Sequence, residues 1–502
     1  MRKTPWRREV IEVTKLKVML RGTLIVAIVG TTLAGAAGAQ QGREVETYSL
    51  QRAIHLGLAY NRLLADAEYG LQAANMQVKA AWGTAFPDIF ASATFSRSVI
   101  KQKMFLPSEF FGDPPGGTRP IEVGSDNAWL AGISVEQPLF EYGIVVGVGA
   151  ANRFRELKEE ELRGTAQQVV SAVRQAYFEA LLAVQQLRLV EESLARVTAQ
   201  LEETRARNRA GLVSSYDVLR QEVQFENVSA NLQFARNQVD FGKRALLVEM
   251  GLDPDLVIGI EGDLNDINLD DQAANDFANA EILRLAGPPE EDIQDEDELV
   301  RVGMSRRSNL RQLRSTISLD EARVSGEKSE FYPKLSFFGT FDIMAQQNDP
   351  VKFFGTGGES RTNAAAAGLR LELPIFQGGS RFARVHEAQA LVRQSVTRLE
   401  RAEQEAITQI RNLADVVSEA LQRAAGQSSA VRSAERGYEI AILEYSEGVG
   451  SQLQVTDAEE ALRQSQFAYA QAVFDYLSAR ARLDFALGTV PEIDDVLPED
   501  GN

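Results

Sequence analysis

The chain has 502 residues, 44 % of them hydrophobic and 25 % charged, with a formal net charge of −18. It has no cysteine and only two histidines, His55 and His386. Disulfide frameworks, thiolate metal sites and thiol nucleophiles are therefore excluded, and a histidine-centred catalytic site would rest on one of two distant residues with no nucleophile or ligand motif beside it.

Residues 1–39 read as a secretory signal. Lys15, Lys17 and Arg21 precede an apolar run over 24–37, which ends in the small-x-small pattern Ala37-Gly38-Ala39. The alternative is a single N-terminal anchor helix. Beyond Ala39 no apolar stretch reaches 18 residues, so a mature chain that enters a membrane has to do so as a β-barrel, whose backbone groups are all paired. A helix is expected over about 48–84 and a strand over about 87–99. The Gly- and Pro-rich segment PSEFFGDPPGGTRP reads as an exposed loop. A strand over about 127–138 follows, then a proline-free helix over about 147–210. Its apolar seam runs through Val170, Val173, Tyr177, Ala180, Val184, Leu187, Leu194 and Leu201 and is interrupted by Glu191 and Thr198. A short turn leads to a helix over about 214–250. Residues 253–296 are strongly acidic: 253–300 hold sixteen carboxylates against Arg284, and the acidic part reads as a solvated linker that crosses from one copy to the next. Such a charge balance makes nucleic acid an unsuitable partner.

The same order then recurs: a helix over about 297–330, strands over about 333–346 and 363–374, a long helix over about 379–447 and a last helix over about 452–487, with a tail at 491–502. The copies share residues as well as order. ISVEQPLFEYG at 133–143 matches LRLELPIFQGG at 369–379, with Glu136 and Pro138 standing where Glu372 and Pro374 stand. Gly211-Leu212-Val213-Ser214 followed by Val218 matches Gly448-Val449-Gly450-Ser451 followed by Val455. The repeats are 40–252 and 297–490.

The strands alternate with a period of two. Ile89, Ala91, Ala93 and Phe95 oppose Ser92, Thr94 and Ser96; Glu136, Arg370 and Glu372 fall on the polar set. That pattern suits lipid on one face and a wet lumen on the other, with a soluble sandwich edge as the alternative. Two copies give four strands, fewer than the roughly eight of the smallest closed barrels, whereas three chains would supply twelve. The long helices would reach roughly 90–105 Å, and two helices of about 35 residues stacked end to end match each of them. An ordinary bundle or dimeric coiled coil would leave unexplained why membrane-like strands lead into each long helix. The expected fold is mainly α with membrane β: a trimeric 12-stranded barrel continued by a long α-helical coiled-coil barrel, with an internal two-fold repeat.

The chain resembles the TolC-like outer-membrane efflux proteins across nearly its whole mature length. The resemblance rests on the proline-initiated strands at Pro87 and Pro333, the strand ends Pro138-Leu139-Phe140 and Pro374-Ile375-Phe376, and the helix-turn-helix tips at Gly211 and Gly448. It implies a homotrimer in the outer membrane with a long periplasmic extension. Such a trimer is a passive exit duct that binds no cofactor, fed through a periplasmic adaptor (membrane fusion) protein by an inner-membrane RND, ABC or MFS transporter in efflux or type I secretion. The rival reading is a periplasmic coiled-coil adaptor or scaffold. The resemblance also implies that the tips Gly211, Leu212, Val213 and Ser214, and Gly448, Val449, Gly450 and Ser451, dock the adaptor. It places Tyr445 and Asp217 in a gating network and Asp457 in an axial ring. Gly450 stands where the family has its gating arginine, and Gln454 where it has a second ring aspartate. A Tyr445–Asp217 hydrogen bond stays open, as does plain helix capping by Asp217.

Overall fold

The computed structural model describes residues 46–269, 272–288, 295–348 and 361–490; the expected signal 1–39 and tail 491–502 lie outside them. The first copy comprises β1 (Glu46–Tyr48), α1 (Leu50–Tyr60), α2 (Arg62–Gly83), β2 (Asp88–Arg97), β3 (Gln102–Pro107), β4 (Thr118–Val123), β5 (Asn127–Phe140), α3 (Tyr142–Arg209) and α4 (Ser215–Glu249). Between the copies lie β6 (Ile258–Ile260) and α5 (Phe277–Leu285). The second copy comprises α6 (Glu296–Arg306), α7 (Ser308–Ser329), β7 (Lys334–Gln347), β8 (Arg361–Glu372), α8 (Ser380–Ser446) and α9 (Gln452–Leu487). Helices α3 and α8 run for 68 and 67 residues. Among the described residues no helix is long and apolar enough to cross a membrane.

The leading helix of each copy, expected to be continuous, is broken into pieces of 11 and 22 residues. The cause is tertiary. In the first copy, Gly251 ends α4 in the left-handed region (φ 74°), and a Cβ there would stand 2.3 Å from the carbonyl oxygen of Tyr60. Asn61, between α1 and α2, caps α2 through Leu63 N–H and donates its Nδ2 to the Glu249 carbonyl at 2.8 Å. In the second copy, Gly488 (φ 69°) approaches Arg306 in the same way, with 2.7 Å left for a Cβ. The returning helix of each copy thus butts into the junction of its own leading pair, which is how two short stacks come to match one long helix.

Strands β2, β5, β7 and β8 form one antiparallel sheet in that order, so its centre is a pairing between the two copies. The register keeps the alternation. Ile89, Ala91, Ala93 and Phe95 lie opposite Val135, Ile133, Ala131 and Trp129, and Phe341 and Ile343 continue the apolar rows on β7. Among the described residues, strands β2 and β8 have no partner on their outer edges. The expected loop at 107–120 is instead the turn of a hairpin, with β3 on β4 from Gln102↔Val123 to Pro107↔Thr118. Lys101 ties its base to Asp126 at 3.0 Å.

Around α3 the helices α2 and α7 pack near the sheet and α4 and α9 beyond it; α8 lies against α7 and α9. The main core sits where these halves meet and draws on both copies, with Val173, Tyr177, Leu246, Ile410, Val473 and Leu477 all buried. Arg174 and Asp484, both buried, form an ion pair at 2.6 Å across it. The inter-repeat segment differs from the expected solvated linker. Strand β6 pairs in parallel with β1, and Leu264, Ile267, Ile282 and Leu285 are buried in the core. Arg480 donates to the carbonyls of Gly287 and Pro288 at 2.5 and 3.0 Å, and its burial pushes the guanidinium below its ordinary value. Apolar residues spaced among the carboxylates hold this segment down; residues 290–294, where the last acidic run begins, lie outside the described residues.

Candidate functional site: the two helix tips and the seam between them

Both hairpins end in turns of one design. Helix α3 closes with Leu212 N–H on the Arg207 carbonyl at 2.9 Å, and α8 closes with Val449 N–H on the Glu444 carbonyl at 3.0 Å. Gly211 (φ 75°) and Gly448 (φ 77°) take the left-handed position that ends each helix. The next helix then starts with a capping box. Ser214 Oγ accepts from Asp217 N–H at 3.3 Å while Asp217 Oδ2 accepts from Ser214 N–H at 3.1 Å. Ser451 and Gln454 repeat this, with Gln454 Oε1 accepting from Ser451 N–H at 2.6 Å.

The four expected turn residues of each tip are therefore clustered, and largely exposed. Gly450 is a close-approach site: its N–H donates to the Glu444 carbonyl at 2.9 Å, and a Cβ would meet the Tyr445 nitrogen at 3.0 Å. A side chain there crowds Glu444 and Tyr445, which have to give by a few tenths of an ångström; Val213, at the matching position of the first tip, shows that the turn itself takes a side chain. Asp457 is exposed on α9, in the second turn after the cap.

The Tyr445–Asp217 hydrogen bond is not made. The Asp217 carboxylate is engaged by Ser214, whose hydroxyl donates to it at 2.7 Å. Tyr445 is buried, and its hydroxyl finds no partner among the described residues. What meets Tyr445 is Arg207. The guanidinium stands 4.3 Å over the phenol ring, donates to the Tyr445 carbonyl at 3.2 Å, and pairs with Glu203 at 2.7 Å. Arg207 was not among the sequence candidates: a basic residue in a last helical turn reads as a simple complement to the helix dipole.

Further from the tip, other polar contacts join α3 to α9. Gln200 donates to Gln452 Oε1 at 3.2 Å. Glu459, 4 % exposed, accepts from Ser193 Oγ at 2.7 Å and from Arg196 at 3.4 Å. Between helices α4 and α9, Gln221 donates to Thr456 Oγ1 at 2.9 Å. Tyr438 faces this group, and its hydroxyl is pushed above its ordinary value by burial, with Arg196 opposing and Glu459 adding to the shift. Glu459 too was missed. Its signal was that Gln452, Val455, Glu459 and Leu462 fall on the buried stripe of α9, putting a carboxylate where an apolar residue is expected. In α3 the buried stripe below Leu187 passes through Val190, Ser193, Val197, Leu201 and Thr204, leaving Glu191 and Thr198 exposed.

The three residues expected on a lumen share one face of the sheet. Glu136 lies opposite Phe338, and Arg370 opposite Ser336, on the same pleat. Arg370 reaches across β7 to Glu136 at 3.6 Å, its guanidinium 5.1 Å from the centre of the Phe338 ring. Glu372 ends the row, paired in register with Lys334.

A sheet with one apolar face is continued, in each of two copies, by one helix of nearly 70 residues and two shorter stacks. The family model described as "Outer membrane efflux protein" matches residues 53–251 and 302–489, one stretch in each copy. The chain belongs to the outer membrane efflux protein family: it is an outer-membrane protein of channel type, not an enzyme. It is 25 % identical over 408 residues to outer membrane protein TolC of Vibrio cholerae, covering 81 % of this chain and 86 % of that one. It is 23 % identical over 375 residues to the alkaline protease secretion protein AprF of Pseudomonas aeruginosa, covering 73 % and 71 %. Among solved structures, the Campylobacter jejuni CmeC outer membrane channel superposes with a TM-score of 0.69 at 18 % identity over 92 % of this chain and 94 % of that one. The outer membrane protein VceC of Vibrio cholerae gives 0.67 at 20 % identity, over 88 % and 96 %. Membership in this family sets aside the adaptor or scaffold alternative.

Proposed function

We propose that three copies of the chain close a 12-stranded barrel in the outer membrane and continue it as a helical tube into the periplasm, forming the exit duct of a tripartite efflux or type I secretion system. The observation that carries this is the four-stranded antiparallel sheet whose two outer edges are unpaired among the described residues. In a meander of four strands the first and last run in opposite directions. Joining β8 of one copy to β2 of the next therefore keeps every pairing antiparallel, and only closure satisfies both edges in lipid. Glu136, Arg370 and Glu372 then line the lumen, and the apolar face meets the membrane.

In this assembly the tips dock a periplasmic adaptor through Gly211–Ser214 and Gly448–Ser451. An RND, ABC or MFS transporter of the inner membrane supplies substrate through the adaptor, and the duct itself needs no cofactor. The resemblance to a protease secretion protein favours polypeptides as one class of cargo. Asp457 faces the axis near the tip. Tyr445 and Asp217 act in the gate through what they hold: Tyr445 as the seat of Arg207, and Asp217 as the cap of its helix. Cell fractionation tests the reading. The expected result is a heat-modifiable trimer in the outer membrane that conducts ions in planar bilayers; a soluble periplasmic monomer refutes it.

A further inference from the structure

The two copies repeat pairings as well as residues. Asp88 lies opposite Glu136 in the first copy, and their counterparts Lys334 and Glu372 lie opposite each other in the second. Positions on the leading strand shift by 246, as Pro87 does to Pro333, and on the second strand by 236, as Pro138 does to Pro374. Where the copies meet, β5 of the first lies on β7 of the second with Glu136 opposite Phe338 and Val135 opposite Gly339. The sheet's outer strands β8 and β2 are the counterparts of β5 and β7. Carried over with the same shifts, the central register sets Glu372 of one copy opposite Ser92 of the next, Leu371 opposite Ala93, and Leu369 opposite Phe95.

The alternation of the sheet admits this register. Leu369 and Leu371, 64 % and 70 % exposed, continue the apolar row of Phe95 and Ala93; a slip by one residue would turn both leucines to the face of Ser92 and Thr94. The strand ends point the same way. Pro138, Leu139 and Phe140 are strand, with Pro138 opposite Ser336 and Phe140 opposite Leu335 on β7. Their counterparts Pro374, Ile375 and Phe376 take no regular structure, and Ile375 and Phe376 are 89 % and 83 % exposed. One motif is therefore strand where a neighbour adjoins it, and irregular where none does among the described residues. The positions that match Leu335 and Ser336 on the next copy are Ile89 and Phe90, both exposed.

The long helices carry the same relation. Val173 stands against Gly57 as Ile410 stands against Gly303, so positions on α3 and α8 correspond here at a shift of 237. Gln167, buried, donates to the Gly488 carbonyl at 3.1 Å and accepts from Ser308 Oγ at 2.7 Å, across the seam between the copies. Its counterpart Gln404 is exposed and lines an open cavity of about 510 Å³ with Thr408 and Asn412. The counterparts of Gly488 and Ser308 are Gly251 and Arg62, whose guanidinium is a donor as the serine hydroxyl is. The buried Arg174–Asp484 pair is not repeated. Arg411 and Leu247 hold those places, and Arg411 turns to Glu296 and Asp297 on its own chain.

We propose that the seam between copies repeats the seam inside one chain: β8 takes β2 of the next copy with Glu372 opposite Ser92, residues 373–376 become strand against Ile89 and Phe90 of that copy, and Gln404 seats on its Gly251 carbonyl and Arg62. This rests on the duct reading above and fixes the register of its closure. The occupant of the open edge is a second copy of this chain, because the internal repeat supplies the matching edge residue by residue. Each joint is the same, so the third copy meets the first through no special contact.

The chain has no cysteine, so introduced pairs are its only thiols. Ser92→Cys/Glu372→Cys and Thr94→Cys/Arg370→Cys each set two thiols directly opposite across the proposed seam, on the lumen face. Within one chain the members of a pair are three strand spacings apart, roughly 14 Å, too far for a disulfide. Oxidation of the full-length protein in its membranes is expected to move both variants to a covalent trimer on denaturing gels, at about three times the mass of the chain. Ser96→Cys/Glu372→Cys, four residues out of register, is expected to run as the single chain. Arg62→Cys/Gln404→Cys reads the helical flank in the same way with a short bis-thiol-reactive reagent, and a trimer that bridges through the strands but not there overturns the helical half. A trimer bridged only by the out-of-register pair, or by no strand pair, overturns the register and leaves the duct standing. A soluble chain that stays a monomer and is bridged by no pair overturns both.

Discussion

Asp217 and Gln454 hold the same place in the two hairpins: each is the third residue of its helix, and each returns a side-chain oxygen to the backbone N–H of the serine three residues before it. One is an anion and the other is not, yet the local geometry is the same. Capping thus accounts for the side-chain contacts of both. Asp217→Ala and Gln454→Ala are each expected to loosen their own tip by about 0.5–2 kcal/mol. Hydrogen exchange at the first turn of the affected helix reads this as faster exchange, with the other tip unchanged. Asp217→Asn keeps an acceptor and is expected to show the smaller effect.

Asp457 is exposed and free of the cap, so its charge is available to the solution. In the proposed trimer, three such carboxylates around a narrow throat attract cations and repel anions. Asp457→Ala is expected to move the reversal potential in a salt gradient toward anion passage, and Gln454→Asp to move it the other way. A reversal potential indifferent to both removes Asp457 from the conduction path.

Tyr177 pins the β1–β6 pair to α3. Its hydroxyl proton is shared between the Glu261 and Tyr48 carbonyls at 2.7 and 3.0 Å, while the oxygen accepts from Glu261 N–H at 3.2 Å. Tyr177→Phe leaves these groups short of partners and is expected to cost about 1–3 kcal/mol in urea or thermal unfolding. The pH dependence has a definite sign. Burial, the largest cause, raises the folded phenol above the ordinary value near 10. The folded state therefore keeps its proton where the unfolded state has lost it, so the stabilisation is complete below about pH 10 and is lost as the pH rises toward the folded value. Wild type should lose stability more steeply than Tyr177→Phe between about pH 9 and 11; parallel curves would contradict this.

Gly251 and Gly488 are the two points where a returning helix strikes a leading pair. Alanine at Gly251 is strained twice over, by the positive φ and by the Tyr60 carbonyl 2.3 Å from its Cβ. A loss of about 2 kcal/mol or more is expected from Gly251→Ala, and a comparable one from Gly488→Ala, where the Arg306 carbonyl lies 2.7 Å away. Gly211, with the same φ but open space around it, is expected to lose only about 1 kcal/mol on the same change. Unfolding midpoints of the three variants provide the ranking.

The long helices and the alternating strands were legible in the sequence because each is periodic in its own residues, and the duplication because Gly211-Leu212-Val213-Ser214 has its counterpart at Gly448. The breaks at Asn61 and Arg307 were not: one asparagine is a weak signal inside a helical run, the residues around Arg307 carry none, and what divides both helices is a glycine that arrives from about 190 positions away. The β3–β4 hairpin was hidden by its own turn, whose prolines and glycines dominate the local composition. The folded inter-repeat segment was hidden by charge, since Leu264, Ile267 and Ile282 are few among many carboxylates. At the tips, capping follows from serine three residues before Asp217 and Gln454. Arg207 and Glu459 depend on which helix lies opposite, and a repeat pattern within one chain does not specify that.

If the barrel closes from three copies as proposed, the two sheet edges left unpaired among the described residues impose an order on how the protein reaches its place. A lone chain that slid into lipid would carry a row of unmatched backbone donors and acceptors along β2 and another along β8, each costing several kcal/mol there. Insertion cannot then precede association. Newly delivered chains have to meet in water, or with their edges shielded by another protein, and cross into the bilayer together.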